Sequence, residues 1–137
     1  MFYFNFNALH LASEKYNKEI IDILLSMPGI EIGPRSFQNC KKLKTIKIPD
    51  SVTEIGDRAF KNCASLKQVT IPSSVRSIGK SAFAGCLSLK KISIPSSVTQ
   101  IGQNAFYFCG SLEQIIIPSV INEELIGINS KVKVIKI

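Results

Sequence analysis

The sequence predicts an α/β fold: a solenoid of stacked units, each giving one short strand, closed at its N-terminal end by a helix pair. Three observations predict it. Ile, Gly, Phe, Cys, Leu and Pro recur at a strict period of 23 over most of the 137 residues. The segment ahead of the repeat has apolar residues placed to suit helices. Charge divides at the same boundary: residues 1–31 carry two basic and four acidic side chains, whereas residues 32–137 carry fifteen and six.

The helix pair comes first. Leu9, Leu11 and Ala12 suit a short first helix. Ile20, Ile21, Ile23, Leu24 and Leu25 suit a buried second one, ended by Pro28-Gly29. The run Asn7-Ala8-Leu9-His10-Leu11-Ala12 is similar to the Thr-Pro-Leu-His-x-Ala signature, so residues 7–32 resemble a single ankyrin repeat. The chain departs from that pattern at Tyr16, where the family has the Gly that ends helix one. The preceding β-turn is mostly missing, unless the aromatic residues 1–6 replace it. One such unit cannot stand alone, so residues 1–31 are expected to pack on the first repeat as a helix-turn-helix cap. The alternative is the last unit of a longer array.

Four full units follow. Ile32, Ile55, Ile78 and Ile101 each precede a Gly. Phe37, Phe60, Phe83 and Phe106 come next, then Cys40, Cys63, Cys86 and Cys109, then Leu43, Leu66, Leu89 and Leu112. Leu-x-x-Ile-x-Ile reads as a strand with one apolar face, and Pro49, Pro72, Pro95 and Pro118 end each strand. Ile-Gly is expected to bend where Gly tolerates positive φ. The x-x-Ala-Phe-x-x-Cys segment reads as one helical turn with Phe and Cys inward, capped variously by Pro34, Asp57, Ser81 or Asn104. A degenerate fifth unit closes the chain, with Val132, Ile135 and Ile137 in the Leu-x-x-Ile-x-Ile positions three residues early. The linking residues 120–130 lack the Phe and the Cys.

The motif Ile-Pro-Ser-Ser-Val-x-x-Ile-Gly-x-x-Ala-Phe-x-x-Cys-x-Ser-Leu-x-x-Ile-x resembles the BspA-type leucine-rich repeat, and residues 55–117 match it nearly column for column. The resemblance implies a leucine-rich-repeat, right-handed β/α superhelix over residues 32–137. It also implies surface antigens and adhesins of anaerobic bacteria and parasitic protists. Ankyrin and BspA-type repeats together resemble proteins of protists such as trichomonads.

Composition limits the chemistry. With 45% hydrophobic and 20% charged residues the chain can pack a core. No run of about eighteen apolar residues is present, and the N-terminus lacks a basic n-region and a cleavage site. No Asn-x-Ser/Thr sequon occurs. These features favour an intracellular chain or a fragment of a longer one, whereas the resemblance favours the cell surface.

Apparent sites mostly reduce to the repeat. His10 is the lone histidine; it is expected to bond backbone at a turn rather than act as a general base. The four cysteines are 23 apart, outside zinc-ligand spacing. Stacked equivalents would hold Cβ atoms about 5 Å apart, too far for a relaxed disulfide. They read as buried free thiols. Gly79-Lys80-Ser81 imitates the end of a P-loop, but Ser74 stands where that motif needs Gly. No catalytic, cofactor or metal residues are assigned. Tyr3, Tyr107 and Phe108 are the aromatics with a chance of exposure; for Tyr107-Phe108, a modest contact patch competes with local repacking.

The residues between the apolar strand positions are the informative ones. In a leucine-rich solenoid they face the concave side. Lys44, Lys47, Lys67, Lys90, Lys91, Lys133 and Lys136 fall there with one glutamate, Glu113. A column of stacked lysines repels itself, and an acidic ligand relieves that; a solvated, edge-protecting face is the alternative. The sequence therefore points to a non-catalytic protein-binding module. Partners in view are host matrix or cell-surface proteins, or intracellular partners of a scaffold. A binder of nucleic acid or acidic membrane is permitted by charge, but no nucleic-acid motif is present.

Overall fold

The structure, a computed structural model, describes residues 3–137 and the side chains from residue 8 onward. Helix α1 (Tyr3–Glu14) already includes most of the aromatic N-terminal stretch. Residues 3–6 are helical and do not supply the missing β-turn; Met1, Phe2 and the Tyr3 side chain lie outside the described residues.

Helix α1 ends at a Schellman motif. Tyr16 holds φ +44, its N–H donates to Ser13 O, and Asn17 N–H reaches back to Ala12 O. A tyrosine in the left-handed conformation thus ends the helix. Helix α2 (Lys18–Leu25) starts at Asn17, whose Oδ1 accepts from Ile20 N–H at 3.1 Å. The chain then turns at Gly29, φ +74. The pair sits on the first repeat: Ser13 Oγ donates to Ser36 O, and His10 Nδ1 lies 2.8 Å from Arg35 O. Leu9, Ile21 and Ile30 are buried beneath it.

The repeats form two stacks of parallel strands. One holds β1 (Thr45–Lys47), β3 (Gln68–Thr70), β5 (Lys91–Ser93), β7 (Gln114–Ile117) and β8 (Lys133–Lys136). The other holds β2 (Glu54–Ile55), β4 (Ser77–Ile78) and β6 (Gln100–Ile101), extended to the first coil by a bridge between Ile32 and Ile55. The Phe column lies buried between them as a stack, with ring centroids 5.0, 5.1 and 5.5 Å apart and planes within 3°. Each thiol from Cys63 onward donates to a Phe carbonyl of the preceding coil: Cys63 to Phe37, Cys86 to Phe60, Cys109 to Phe83.

Three expectations are corrected. The x-x-Ala-Phe-x-x-Cys segments are hydrogen-bonded turns, not helix. Alternate N–H groups leave the coil instead: Arg58, Phe60 and Asn62 donate to Lys80, Ala82 and Ala84 of the next one. A helix would spend those donors internally, so Asp57, Ser81 and Asn104 cap nothing. Asp57 Oδ1 accepts from Lys80 N–H at 2.9 Å, again between coils.

The repeat glycines are also differently employed. Positive φ falls on two other columns, Arg35, Arg58, Ser81, Asn104 and Asn39, Asn62, Gly85, Phe108. The Ile-Gly residues are needed for closeness: a Cβ on Gly56 would sit 2.5 Å from Gly33 C, and one on Gly102 2.4 Å from Lys80 N. The turns stack backbone on backbone, and no side chain fits between.

The last coil is shifted by one residue from the expected alignment. Ile115 partners Val134 rather than Ile135, and Ile117 partners Lys136 rather than Ile137. Ile137 is therefore left 55% exposed. In the linking segment, Ile126 replaces the missing Phe as the buried residue above Phe106, whose N–H donates to Ile126 O.

Candidate partner-binding face

The strand face carries three outward columns. Lys44, Lys67, Lys90 and Glu113 form the first; Thr45, Gln68, Lys91, Gln114 and Lys133 the second; Lys47, Thr70, Ser93, Ile116 and Ile135 the third. The apolar residues that alternate with them, Ile46, Ile92 and Ile115, point into the core. Lys44, Lys47, Lys67, Lys90, Lys91 and Lys133 are all exposed here.

Lys136 is removed from this set. The shifted register puts it in line with buried Ile117, on the side away from the lysine columns. Its Nζ bonds Glu123 Oε2 at 3.1 Å and Ile121 O at 3.4 Å, tying the linking segment to the last strand. Lys133 moves from the first column to the second but stays on the face.

The face is not one continuous sheet. β1 pairs with β3, β5 with β7, and β7 with β8, but β3 and β5 touch without a ladder. Ile48 N–H donates to Thr70 O and Ile94 N–H to Ile116 O, while the equivalent bond from Ile71 to Ser93 is not made. A gap of about 260 Å³ opens there, lined by Val69, Thr70, Ile71, Ser93 and Pro95. A second, larger recess of about 700 Å³ lies between α2 and β1. The repeat pattern did not reveal it; the signal was the helical sequence at residues 22–24, one period before β1, where a strand would otherwise continue the stack.

The remaining candidates fall into place as structure. His10 meets a carbonyl, which only accepts, so Nδ1 carries the hydrogen in that contact. At the P-loop look-alike, the Lys80 N–H is already taken by the Asp57 carboxylate, where a phosphate would have to sit. All four cysteines are free and buried. Burial pushes every one of their pKa values up, that of Cys109 to about 11. No cluster of metal-binding side chains occurs among the described residues. No described helix is long and apolar enough to cross a membrane. Tyr107 and Phe108 do not repack inward: their rings lie 4.5 Å apart, and Phe108 is 69% exposed with φ +57.

A sequence profile of the BspA type leucine rich repeat region matches residues 15–132 in six copies. The chain belongs to the BspA-type leucine-rich repeat family. The profile begins inside the helix pair, ahead of the 23-residue columns. The same fold recurs in a leucine-rich cell surface protein from Faecalibacterium prausnitzii, with 38% identity over 80% of this chain and 30% of that one, TM-score 0.72. It recurs in the leucine-rich repeat protein of T. pallidum, with 32% identity, coverage of 81% and 47%, and TM-score 0.63. The pneumococcal vaccine antigen PcpA is similar at 27% identity, with coverage of 69% and 24% and TM-score 0.63. This BspA-type chain thus spans less than half the length of each of these three relatives. No curated protein sequence matches it significantly.

Proposed function

We propose that this chain is a non-catalytic protein-interaction module of surface-antigen type, binding an acidic protein partner through Lys44, Lys47, Lys67, Lys90, Lys91 and Lys133. The observation that carries the reading is the strand face itself, where six exposed lysines are opposed by Glu113 alone. Like charges stacked at strand spacing, about 4.8 Å, repel each other by roughly 1 kcal/mol per adjacent pair in water. A partner carboxylate relieves that repulsion and steers encounter. Two of the similar structures are described as a cell surface protein and a vaccine antigen, which supports a surface location; host matrix and cell-surface proteins are then the partners to test.

Reversing charge with Lys67→Glu and Lys90→Glu tests the face. Binding to host matrix proteins, measured by surface plasmon resonance, should fall roughly tenfold or more, with most of the loss in association rate at low salt. Unchanged binding would remove the lysine face from the interaction. Antibody labelling of intact against permeabilised source cells tests the location.

A further inference from the structure

The lysine columns end at β1, and beyond β1 the stack has no further strand. Ile48 N–H donates to Thr70 O, and Lys44 O accepts from Gln68 N–H. Backbone groups alternate in direction along a strand, so those of Thr45 and Lys47 point the other way, toward α2. Outside the ladder to β3, neither N–H meets an acceptor among the described residues. Helix α2 stands where the preceding strand would lie, and its own backbone bonds are internal. It walls the edge without pairing with it, leaving the recess of about 700 Å³.

The recess has the parts of a strand-addition site. One wall is an open parallel edge. The other is formed by Tyr16, ahead of α2, and by the half-buried Leu25 at its end, with the buried Ile21 behind them. Lys44 and Lys47 project at its rim, and the acidic Asp22 on the helix side is ion-paired with Lys18 at 2.7 Å on the exposed surface. An unpaired edge is ordinarily blunted by covering or shortening. Here it is short but not covered.

We propose that this recess binds an extended, acidic segment of a partner protein as an added β-strand, paired to the outward backbone groups of Thr45 and Lys47. Alternate side chains of the segment, apolar, pack on Tyr16 and Leu25; the others, carboxylates, meet Lys44 and Lys47. Charge argues against β8 of a second copy as occupant, because that strand carries Lys133 and Lys136. The inference rests on the protein-binding reading above and gives it a docking mode.

The test uses the full chain and a fluorescent seven-residue peptide of alternating valine and glutamate, followed by anisotropy. Saturable binding is expected. Thr45→Pro removes one outward N–H and leaves the ladder to β3 intact, since proline is accepted at a free edge; it should weaken binding by roughly tenfold. A peptide N-methylated at alternate residues keeps its charge and loses its donors, and it should bind no better than the Thr45→Pro case. This second arm decides the matter if Thr45→Pro lowers the melting temperature. Arg76→Glu with Lys80→Glu lies outside both the recess and the lysine face and should change peptide affinity by less than about twofold. The proposal is overturned by absence of saturable binding. It is also overturned by binding that ignores both Thr45→Pro and N-methylation while falling with Lys67→Glu and Lys90→Glu; that pattern leaves the lysine face standing without strand addition.

Discussion

The ring of Phe60 lies 5.0 Å from that of Phe37, 3° from parallel, and 5.1 Å from Phe83 on its other side. One coil's rise sets that spacing, so the aromatic stack and the strand ladders report the same repeat distance. Phe60 is fully buried and touched by coils above and below. Phe60→Ala should therefore cost about 3–5 kcal/mol of unfolding free energy, from lost transfer energy and the cavity between two stiff neighbours. Urea denaturation followed by circular dichroism measures it. A cost under about 1 kcal/mol would mean the stack is not a packed core.

Gly79 and Gly85 should answer mutation differently. A Cβ on Gly79 would meet Asp57 N at 2.6 Å and Gly56 C at 2.7 Å, both backbone. Neither can move without parting two coils, so Gly79→Ala should cost roughly 2 kcal/mol or more, the scale of overpacking. Gly85 has φ +75, and its Cβ would meet mainly the Asn62 Oδ1. Asparagine tolerates that conformation, and Asn62 already donates to Asn39 Oδ1 in the same column. Gly85→Asn should extend this amide ladder and stay within about 1 kcal/mol of the parent. Thermal melts of the two variants side by side would settle the ranking; equal losses would contradict it.

The coils were legible because each column repeats one contact. Once Phe37 is core, equal spacing makes Phe60, Phe83 and Phe106 core too. The helix pair was legible from the apolar patterning of residues 20–25, but α2 is not the buried helix that patterning suggests: only Ile21 is buried, and Ile20 and Ile23 are 46% and 62% exposed. What could not be read were choices among near-equal local options. A seven-residue turn segment can close as helix or donate to the next coil, and only the stack decides. A glycine looks alike whether it supplies positive φ or a missing Cβ. In the last unit Val134 and Ile135 are both apolar, so either register satisfies the pattern. Of the lysine face, the columns were readable and the break between β3 and β5 was not, because it depends on unmade backbone bonds rather than on residue type.

The thiols make a pH prediction. Burial pushes the pKa of Cys63 and Cys86 well up, and that of Cys109 to about 11, against about 8.5 for a cysteine in an unfolded chain. A raised pKa means the folded state keeps protons that the unfolded state releases. The contribution is thus fully present below about pH 8.5 and is lost as pH rises toward 11. The urea midpoint should fall between pH 8 and 10, and less so in a Cys63→Ala, Cys86→Ala variant compared with its own value at pH 7. Alkylation by iodoacetamide at pH 8 should be slow in the folded chain and rapid in urea. Fast labelling without denaturant would contradict the burial of these groups.

The shifted last register separates two neighbouring lysines. Lys133 pairs in register with Gln114 on the strand face, whereas Lys136 aligns with Ile117 and bonds Glu123. Both partners of the Lys136–Glu123 pair are about 40% exposed, so the bond is a partly screened surface contact. Lys136→Ala should lower stability by about 1 kcal/mol or less and leave partner affinity unchanged. Lys133→Glu should do the reverse, leaving the melt alone and weakening an acidic partner through the strand face. Had the last strand followed the spacing of the other coils, Lys136 would stand over Ile116 on the lysine face, and its loss would lower affinity. Measuring melting temperature and partner affinity for both variants therefore tests the register and the face together. A drop in affinity with Lys136→Ala, and none with Lys133→Glu, would overturn the placement of both.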